Sequence, residues 1–162
     1  ESAGSLMDTH MADNMVLDRQ LCFRLYAASR AIQRQYRPVL DSLGITYPQY
    51  LVLLALWQWE AETPRLPHSI KDLGNRLTLD SGTMTPLIRR MEAAGLLIKS
   101  PGETDARLWM VMLTPKGRAL KSQAAAVPET VTCLPGAQPL LGDIPALLQQ
   151  LDRLLAVLSE AE

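Results

Sequence analysis

Two cysteines and a set of tyrosines are the residues of this chain best suited to chemistry. Cys22 lies in a long amphipathic run over residues 21–57 that also contains Tyr36 and Tyr47, and Cys133 lies far downstream. A thiolate attacks a peroxide oxygen, and phenolic O–H groups stabilise a thiolate by donating hydrogen bonds to it. The attack gives a sulfenic acid, which a second thiol converts into a disulfide. These residue types predict thiol redox chemistry at Cys22.

The spacing of Cys22 and Tyr36 constrains where such a site can form. Fourteen residues of α-helix return Tyr36 to within about 40° of the Cys22 face, but about 21 Å farther along the axis. The two side chains of one continuous helix therefore cannot touch. Two such helices packed antiparallel in a symmetric dimer would bring each Cys22 beside the Tyr36 of the partner.

Each of these residues also has a purely structural interpretation. A cysteine in an apolar helix is usually a small buried hydrophobe, and a lone cysteine near a helix end, such as Cys133, is usually inert. Tyr26, one turn after Cys22, is a further candidate for the thiol pocket, although core packing explains it equally well. We expect the tryptophans to be packing residues: Trp57, Trp59 and Trp109. The paired tyrosines and the second thiol favour the redox interpretation.

Composition narrows the class of protein. With 162 residues, 48% of them hydrophobic and only 5% aromatic, the chain can form one mainly helical domain with dimerisation arms. No apolar run approaches the roughly eighteen residues that span a bilayer, and no signal peptide opens the chain, so we expect a cytoplasmic protein without a membrane partner. Two cysteines, two histidines and no C-x-x-C motif argue against a metal site, and no cofactor is expected.

Only the middle of the chain has a net positive charge. Residues 1–64 carry a net charge of −2, residues 65–118 carry +4 and residues 119–162 carry −3. Because Lys and Arg that neutralise phosphates dominate the affinity for DNA, the central segment is where a DNA-binding module is expected.

The central segment has the pattern of a helix-turn-helix. After a short helix that Ser69 can cap, Asp80 can cap a second helix, which Gly95 ends. The second helix buries Met84, Leu87, Ile88 and Met91, and its other side presents Ser81, Thr83, Thr85, Arg89 and Arg90. Small hydroxyl side chains allow the first turn to enter the major groove, and the arginines can bind phosphates or base edges. Pro86 either lets that turn approach the phosphate backbone or is merely tolerated there.

A hairpin is predicted directly after this helix. Residues 96–100 and 107–114 alternate in hydrophobicity and flank a polar tip, which predicts a two-stranded wing. Asp105 can orient the guanidinium of Arg107 toward the adjacent minor groove. The alternative is a pair of ordinary solvated charges, which is less favoured behind a helix-turn-helix.

Long helices are predicted on both sides of this module. Apolar residues from Leu17 predict one helix of about 25 residues that ends before Gly44, and residues 47–59 predict a buried helix followed by a loop over residues 60–69. Thr114 can cap a helix that runs to Pro128, and residues 143–162 predict a leucine-rich helix that packs on a partner. We therefore assign residues 15–60 and 115–162 to a dimerisation region, 61–114 to a winged helix-turn-helix, and 1–14 to a disordered tail.

Over roughly residues 17–135 the chain resembles the MarR family of winged-helix repressors, and more narrowly its organic hydroperoxide sensor branch, the OhrR repressors. The resemblance rests on the runs LCFRLYAASRAIQRQY, LGITYPQYLVLLALW, LTLDSGTMTPLIRRMEAAGLL and TDARLWMVMLTPKGRAL. It implies a homodimer on double-stranded operator DNA in which Cys22 is the peroxide-reactive thiol. It also implies that Tyr36 and Tyr47 hydrogen-bond to that thiol across the dimer interface, and that Cys133 is the resolving thiol of a two-cysteine subclass.

The expected function is therefore a redox-sensing repressor that releases its operator when an organic hydroperoxide oxidises Cys22 and an intersubunit disulfide to Cys133 forms. One alternative is a MarR-type repressor relieved by a noncovalent lipophilic or phenolic ligand, with an idle Cys22. Another is a thiol peroxidase. The absence of a C-x-x-C motif and of a thioredoxin-like βαβ pattern weighs against that enzyme.

Overall fold

A computed structural model describes residues 15–161, so the tail predicted over residues 1–14 lies outside the described residues. The described part is mainly helical with one small antiparallel sheet, which confirms the predicted fold class. Its helices are α1 (Leu21–Ser42), α2 (Tyr47–Glu62), α3 (Ile70–Leu77), α4 (Ser81–Ala93), α5 (Pro115–Ala124), α6 (Ala126–Thr132), α7 (Gln138–Leu141) and α8 (Ile144–Glu160). Its strands are β1 (His68–Ser69), β2 (Leu97–Pro101) and β3 (Trp109–Leu113).

The first long helix begins later than predicted. The apolar stripe predicts one helix from Leu17, but Leu17–Arg19 form a separate 3-10 turn before α1. The guanidinium of Arg24 donates to the Asp18 carbonyl at 3.1 Å, and a continuous helix would have paired that carbonyl with the N–H of Cys22. The break places Cys22 in the first turn of α1.

The core is built around α2. Thr46 and Gln49 form a capping box at its start, and Pro48 occupies the first turn, where a missing N–H costs nothing. The predicted burial of this helix is confirmed by a run of buried side chains: Tyr50, Val52, Leu53, Ala55, Leu56 and Trp57. The indole N–H of Trp57 donates to the Gly117 carbonyl at 3.0 Å, which ties α2 to α5.

The sheet has one strand more than predicted. The hairpin of β2 and β3 is confirmed, with Leu97 opposite Leu113 and Pro101 opposite Trp109. The loop predicted over residues 60–69 is wrong at both ends, because α2 continues to Glu62 and β1 pairs with β3. Pro64 and Pro67 lie between the end of α2 and the start of β1. Their missing N–H groups therefore remove no hydrogen bond from either element. The strand order is β1-β3-β2, which joins the start of α3 to the wing.

The helix-turn-helix forms as its caps predict. The Ser69 hydroxyl accepts the N–H of Asp72 at 3.0 Å, and the Asp80 carboxylate accepts the N–H of Thr83 at 2.8 Å. The predicted inner side of α4 is buried: Met84, Leu87, Ile88 and Met91. Gly95, at φ +72°, takes the left-handed conformation that ends the helix.

The helix after the wing ends earlier than predicted. Thr114 caps it as expected, with its hydroxyl accepting the N–H of Gly117 at 3.1 Å, but α5 stops at Ala124 and Pro128 lies inside α6. Since Pro128 has no N–H for the Ala124 carbonyl four residues earlier, the helical ladder breaks before the proline rather than at it. Cys133 then forms the end of α6.

The terminal helix α8 has an apolar side that nothing in the described chain covers. It has no buried residue, and its exposed apolar side chains are Ile144, Leu147, Leu148, Leu155, Val157 and Leu158. No single helix within residues 15–161 is long and apolar enough to cross a membrane; α1 and α2 meet that test only as a pair, bent by 78°.

Gly117 allows the start of α5 to lie close to the backbone of Leu96, the residue before β2. A methyl group on Gly117 would overlap the carbonyl oxygen of Leu96, which is backbone and cannot rotate away. We expect Gly117→Ala to lower the free energy of unfolding by about 1–3 kcal/mol, measured by urea denaturation at fixed protein concentration.

Gly142→Ala is the matched control, because the nearest atom to a new methyl group there is 3.8 Å away. Its expected effect is within about 0.5 kcal/mol. An unchanged stability of Gly117→Ala would contradict the close approach of α5 to Leu96.

Candidate redox site and nucleic-acid interface

Cys22 is exposed in the described chain, unlike the buried hydrophobe that a structural role would require. Its thiol donates a weak hydrogen bond to Gln20 Oε1 at 3.8 Å. The position in the first turn of α1 leaves the sulfur accessible to a small oxidant.

Tyr36 and Tyr47 are brought together by the packing of α1 on α2. Their ring centres are 6.0 Å apart, and a third ring, Tyr50, lies 6.4 Å from Tyr36 and 6.2 Å from Tyr47. We call these three residues the tyrosine cluster. Sequence reasoning missed Tyr50 because it is one position in an almost wholly apolar helix. Its spacing of three residues from Tyr47, which puts both on one side of α2, was the available signal.

Burial raises the pKa of all three phenols of the tyrosine cluster above the ordinary value. The neighbouring phenols raise it further for Tyr36 and Tyr50, because two tyrosinates would repel each other. All three phenols are therefore neutral near pH 7 and remain hydrogen-bond donors.

The structure does not bring Cys22 to the tyrosine cluster of its own chain. Both Cys22 and Tyr36 lie on the uninterrupted helix α1, which separates them by about 21 Å along the axis. Tyr26 belongs neither to the core nor to the cluster, since it is 60% exposed. Its phenol oxygen accepts a hydrogen bond from Arg30 at 3.2 Å, and the same guanidinium lies 5.5 Å from the ring centre.

Cys133 is the second exposed thiol, and both cysteines are free. It follows α6, and its N–H donates to the Glu129 carbonyl at 2.9 Å. Helix α6 packs directly on α1, so each thiol lies on one member of a packed helix pair. Within residues 15–161 no group of three or more His, Cys, Asp or Glu side chains is placed to hold a metal ion.

The outer side of α4 is arranged as predicted for a recognition helix. All the predicted contact residues of this helix are exposed: Ser81, Thr83, Thr85, Pro86, Arg89 and Arg90. The Thr83 hydroxyl donates to the Asp80 carboxylate at 3.2 Å and the Thr85 hydroxyl donates to the Ser81 carbonyl at 2.9 Å, so their lone pairs stay available. Hydrogen bonds from Thr83 hold the pKa of the Asp80 carboxyl below its usual range, which keeps this cap ionised.

The tip of the wing holds an arginine in a fixed orientation. Arg107 donates two side-chain hydrogen bonds to the Asp105 carboxylate, at 3.0 and 3.1 Å, and its backbone N–H donates to the same group at 3.0 Å. These bonds lower the pKa of Asp105 and raise that of Arg107, so both remain charged. The Arg107 side chain is 89% exposed, so its guanidinium is oriented by Asp105 yet open to a ligand.

A concave surface of about 660 Å³ lies between the helix-turn-helix and the wing. We call it the concave surface; it is lined by Ser81 and Thr85 of α4 and by Lys99, Arg107 and Trp109 of the wing. Sequence reasoning missed Lys99, whose ammonium lies 4.4 Å from the centre of the Trp109 ring. The Trp109 side chain is 47% exposed, so it packs against Lys99 on the wing surface rather than in the core. By contrast, Trp57 is buried as expected.

Comparison with known proteins identifies a matching family, similar sequences and similar solved structures. The MarR family model matches residues 45–108, which span α2, the helix-turn-helix and the wing tip. The organic hydroperoxide resistance transcriptional regulator of Bacillus subtilis (strain 168) is 48% identical over 119 residues, 74% of this chain and 77% of that protein.

Solved structures of AbfR, a protein of Staphylococcus epidermidis, share the fold. The structure of reduced AbfR bound to DNA has a TM-score of 0.73 at 31% identity, covering 90% of this chain and 96% of that one. The structure of disulfide-formed AbfR has a TM-score of 0.57 at 31% identity, covering 96% and 99%.

These matches confirm the resemblance inferred from the sequence motifs. The similarity to the Bacillus regulator extends over about three quarters of both proteins, so it is longer than the central module of residues 61–114. The chain belongs to the MarR family, whose members are transcriptional regulators rather than enzymes.

Proposed function

We propose that this regulator is a homodimeric repressor that releases operator DNA when an organic hydroperoxide oxidises Cys22. The observation that carries the proposal is the exposed, free thiol of Cys22 on the same helix as Tyr36 of the tyrosine cluster, but out of its reach. The similar Bacillus protein is a regulator of organic hydroperoxide resistance, which supports this class of oxidant. A repressor acts where its operator lies, so we assign it to the cytoplasm.

The uncovered apolar side of α8 supports the dimer. Four of its leucines, Leu147, Leu148, Leu155 and Leu158, are more than half exposed in one chain, and so is Leu21 at the start of α1. Burying them against a second copy is favourable by about 25 cal/mol for each Å² of apolar surface removed from water. We therefore assign residues 15–60 and 115–162 to dimerisation and residues 61–114 to DNA binding.

The proposed dimer gives Cys22 its hydrogen-bond donors. Tyr36 and Tyr47 of the partner subunit, neutral because burial raises their pKa, would donate to the thiolate of Cys22. The thiolate attacks the terminal peroxide oxygen. The O–O bond breaks as an S–O bond forms, and the departing alkoxide takes up a proton and leaves as an alcohol. Sulfur is oxidised to a sulfenic acid and the peroxide is reduced.

Cys133 is the proposed resolving thiol. Its sulfur attacks the sulfenic sulfur of the partner's Cys22, an S–S bond forms, and the S–O bond breaks with loss of water. A disulfide requires the two Cα atoms to lie within about 7 Å. Where the reduced dimer holds them farther apart, closing the bond would move α6 of one subunit relative to α1 of the other.

That movement would change the positions of the two winged helices. Two helix-turn-helix units read half-sites about 34 Å apart, so a rotation of each unit would mismatch them with the operator. The described chain, with two free thiols, is more similar to reduced AbfR bound to DNA than to disulfide-formed AbfR.

A second candidate is relief of repression by a noncovalent lipophilic or phenolic ligand. An apolar groove of about 660 Å³ favours it, because Leu51, Leu54 and Trp57 of α2 line it together with Leu77 of α3. Arg76 and Lys121 add positive charge to the same groove. Release of DNA from Cys22→Ser by such a ligand, with no response of wild type to peroxide, would establish this candidate.

The redox proposal is tested by DNA-shift titration with an organic hydroperoxide and with H2O2. We expect Cys22→Ser to stay bound at oxidant concentrations that release wild type, because the attacking thiolate is gone. On non-reducing gels only wild type should form a covalent dimer, while Cys133→Ser should react with peroxide without crosslinking. Release of a cysteine-free variant as readily as wild type would disprove the redox mechanism.

The proposed wing contact is tested by Arg107→Ala. Loss of an oriented guanidinium should weaken operator binding by about 5- to 150-fold, equivalent to about 1–3 kcal/mol. Asp105→Asn should cause a smaller loss, because the guanidinium stays charged but loses its orientation. Fluorescence anisotropy with labelled operator at fixed salt measures both.

Arg153→Ala on the polar side of α8 is the control for the loss of one positive charge. Arg153→Ala should bind the operator with the affinity of wild type. An equal affinity of Arg107→Ala would show that the wing does not contact DNA.

A further inference from the structure

A cleft lined by three arginines lies where α1 meets the start of α2. Arg30, Arg34 and Arg37 line it from α1, and Tyr47 lines it from α2, around a volume of about 420 Å³. We call it the arginine cleft. The three arginines share one side of α1 because they are spaced by four and three residues. The cleft contributes no residue to the concave surface between α4 and the wing.

The charge of the arginine cleft is not balanced within the described chain. Asp41 is its one acidic lining residue, set against three guanidinium groups. The Arg30 guanidinium is hydrogen-bonded to a phenol, while within residues 15–161 neither the Arg34 nor the Arg37 side chain has an ion pair or a hydrogen bond. Guanidinium groups stay charged at every physiological pH and bind planar anions through paired N–H donors. The cleft is therefore suited to an anionic ligand.

The cleft also adjoins the groups of the proposed redox site. Tyr47 belongs both to the cleft lining and to the tyrosine cluster. In the proposed dimer the partner's Cys22 meets Tyr47, so an anion held by the arginines would lie beside the reactive thiol.

We propose that the arginine cleft binds the carboxylate of the oxidant, so that the preferred hydroperoxides are those that carry a carboxylate group. This inference rests on the proposed function, since it assigns a substrate class to the same redox site. Arg34 and Arg37 hold the carboxylate, and the hydroperoxide end of the same molecule reaches the partner's Cys22. The cleft lies outside the helix-turn-helix and wing, which favours a small carboxylate over a DNA phosphate as its ligand.

The test compares one medium-chain hydroperoxy carboxylic acid with its own methyl ester, each below its micelle-forming concentration. DNA release is titrated at neutral pH for wild type, for Arg34→Gln and Arg37→Gln singly and together, and for Arg153→Gln as a charge-matched control. Cumene hydroperoxide, which has no carboxylate, measures the basal redox response.

Wild type and Arg153→Gln should respond to the acid at about 3- to 10-fold lower concentration than to the ester, as expected for a partly exposed ion pair. The double variant should lose this preference and keep its response to cumene hydroperoxide and its affinity for the operator. An equal response of wild type to acid and ester overturns the cleft assignment and leaves the redox proposal intact. No response of wild type to any hydroperoxide overturns the redox proposal itself.

Weaker operator binding by the double variant in the absence of oxidant, with a shallower salt dependence, would assign the arginines to DNA phosphates instead. That result would also overturn the carboxylate site.

Discussion

The length of helix between Cys22 and Tyr36 is the constraint on which the proposed sensor depends. A continuous α1 keeps thiol and phenol about 21 Å apart along its axis, and Tyr36 is held against Tyr47 with ring centres 6.0 Å apart. Neither group can reach the other within one chain, so a site that combines them has to be built by two chains. Such a sensor would exist only in the proposed dimer, which would also set the distance between the two DNA-binding modules. Chemistry at the thiol and geometry at the operator would then be linked through one interface.

Helix α2 provides the physical connection from the tyrosine cluster to the wing. Its first turns carry Tyr47 and Tyr50, and near its end the ring of Trp59 stacks on His68 at 4.3 Å. His68 belongs to β1, which pairs with β3 of the wing. A shift of α2 at the cluster would thus be passed through packed rings and a strand pair to Arg107 at the wing tip. Such contiguous packed elements transmit displacement because a close-packed interior has little free volume to absorb it.

Local rules account for most of what the sequence could predict. The caps at Ser69, Asp80 and Thr114 depend on neighbouring residues alone, so the helix starts predicted from them are correct. Two errors came from local effects that the apolar pattern does not show. Arg24 binds the Asp18 carbonyl where the first helix was expected to continue, and Pro128 breaks a helix a turn before its own position. A third came from packing between elements, because β1 pairs with β3. The full tyrosine cluster could not be predicted, because Tyr50 joins it only through the packing of α1 on α2. The concave surface could not be predicted either, because Trp109 comes beside Lys99 only in the folded wing.

The central claim, that the phenols act on the thiol of the other subunit, is tested most directly with mixed dimers. One chain carries Cys22→Ser, and the other carries Tyr36→Phe with Tyr47→Phe and a different affinity tag, so that the mixed dimer can be isolated. If the phenols act across the interface, this dimer contains one complete site, and the rate of sulfenic acid formation per intact Cys22 should match wild type. If the rate instead equals that of the dimer in which both chains carry the two phenylalanines, the phenols do not act across the interface and the account is wrong.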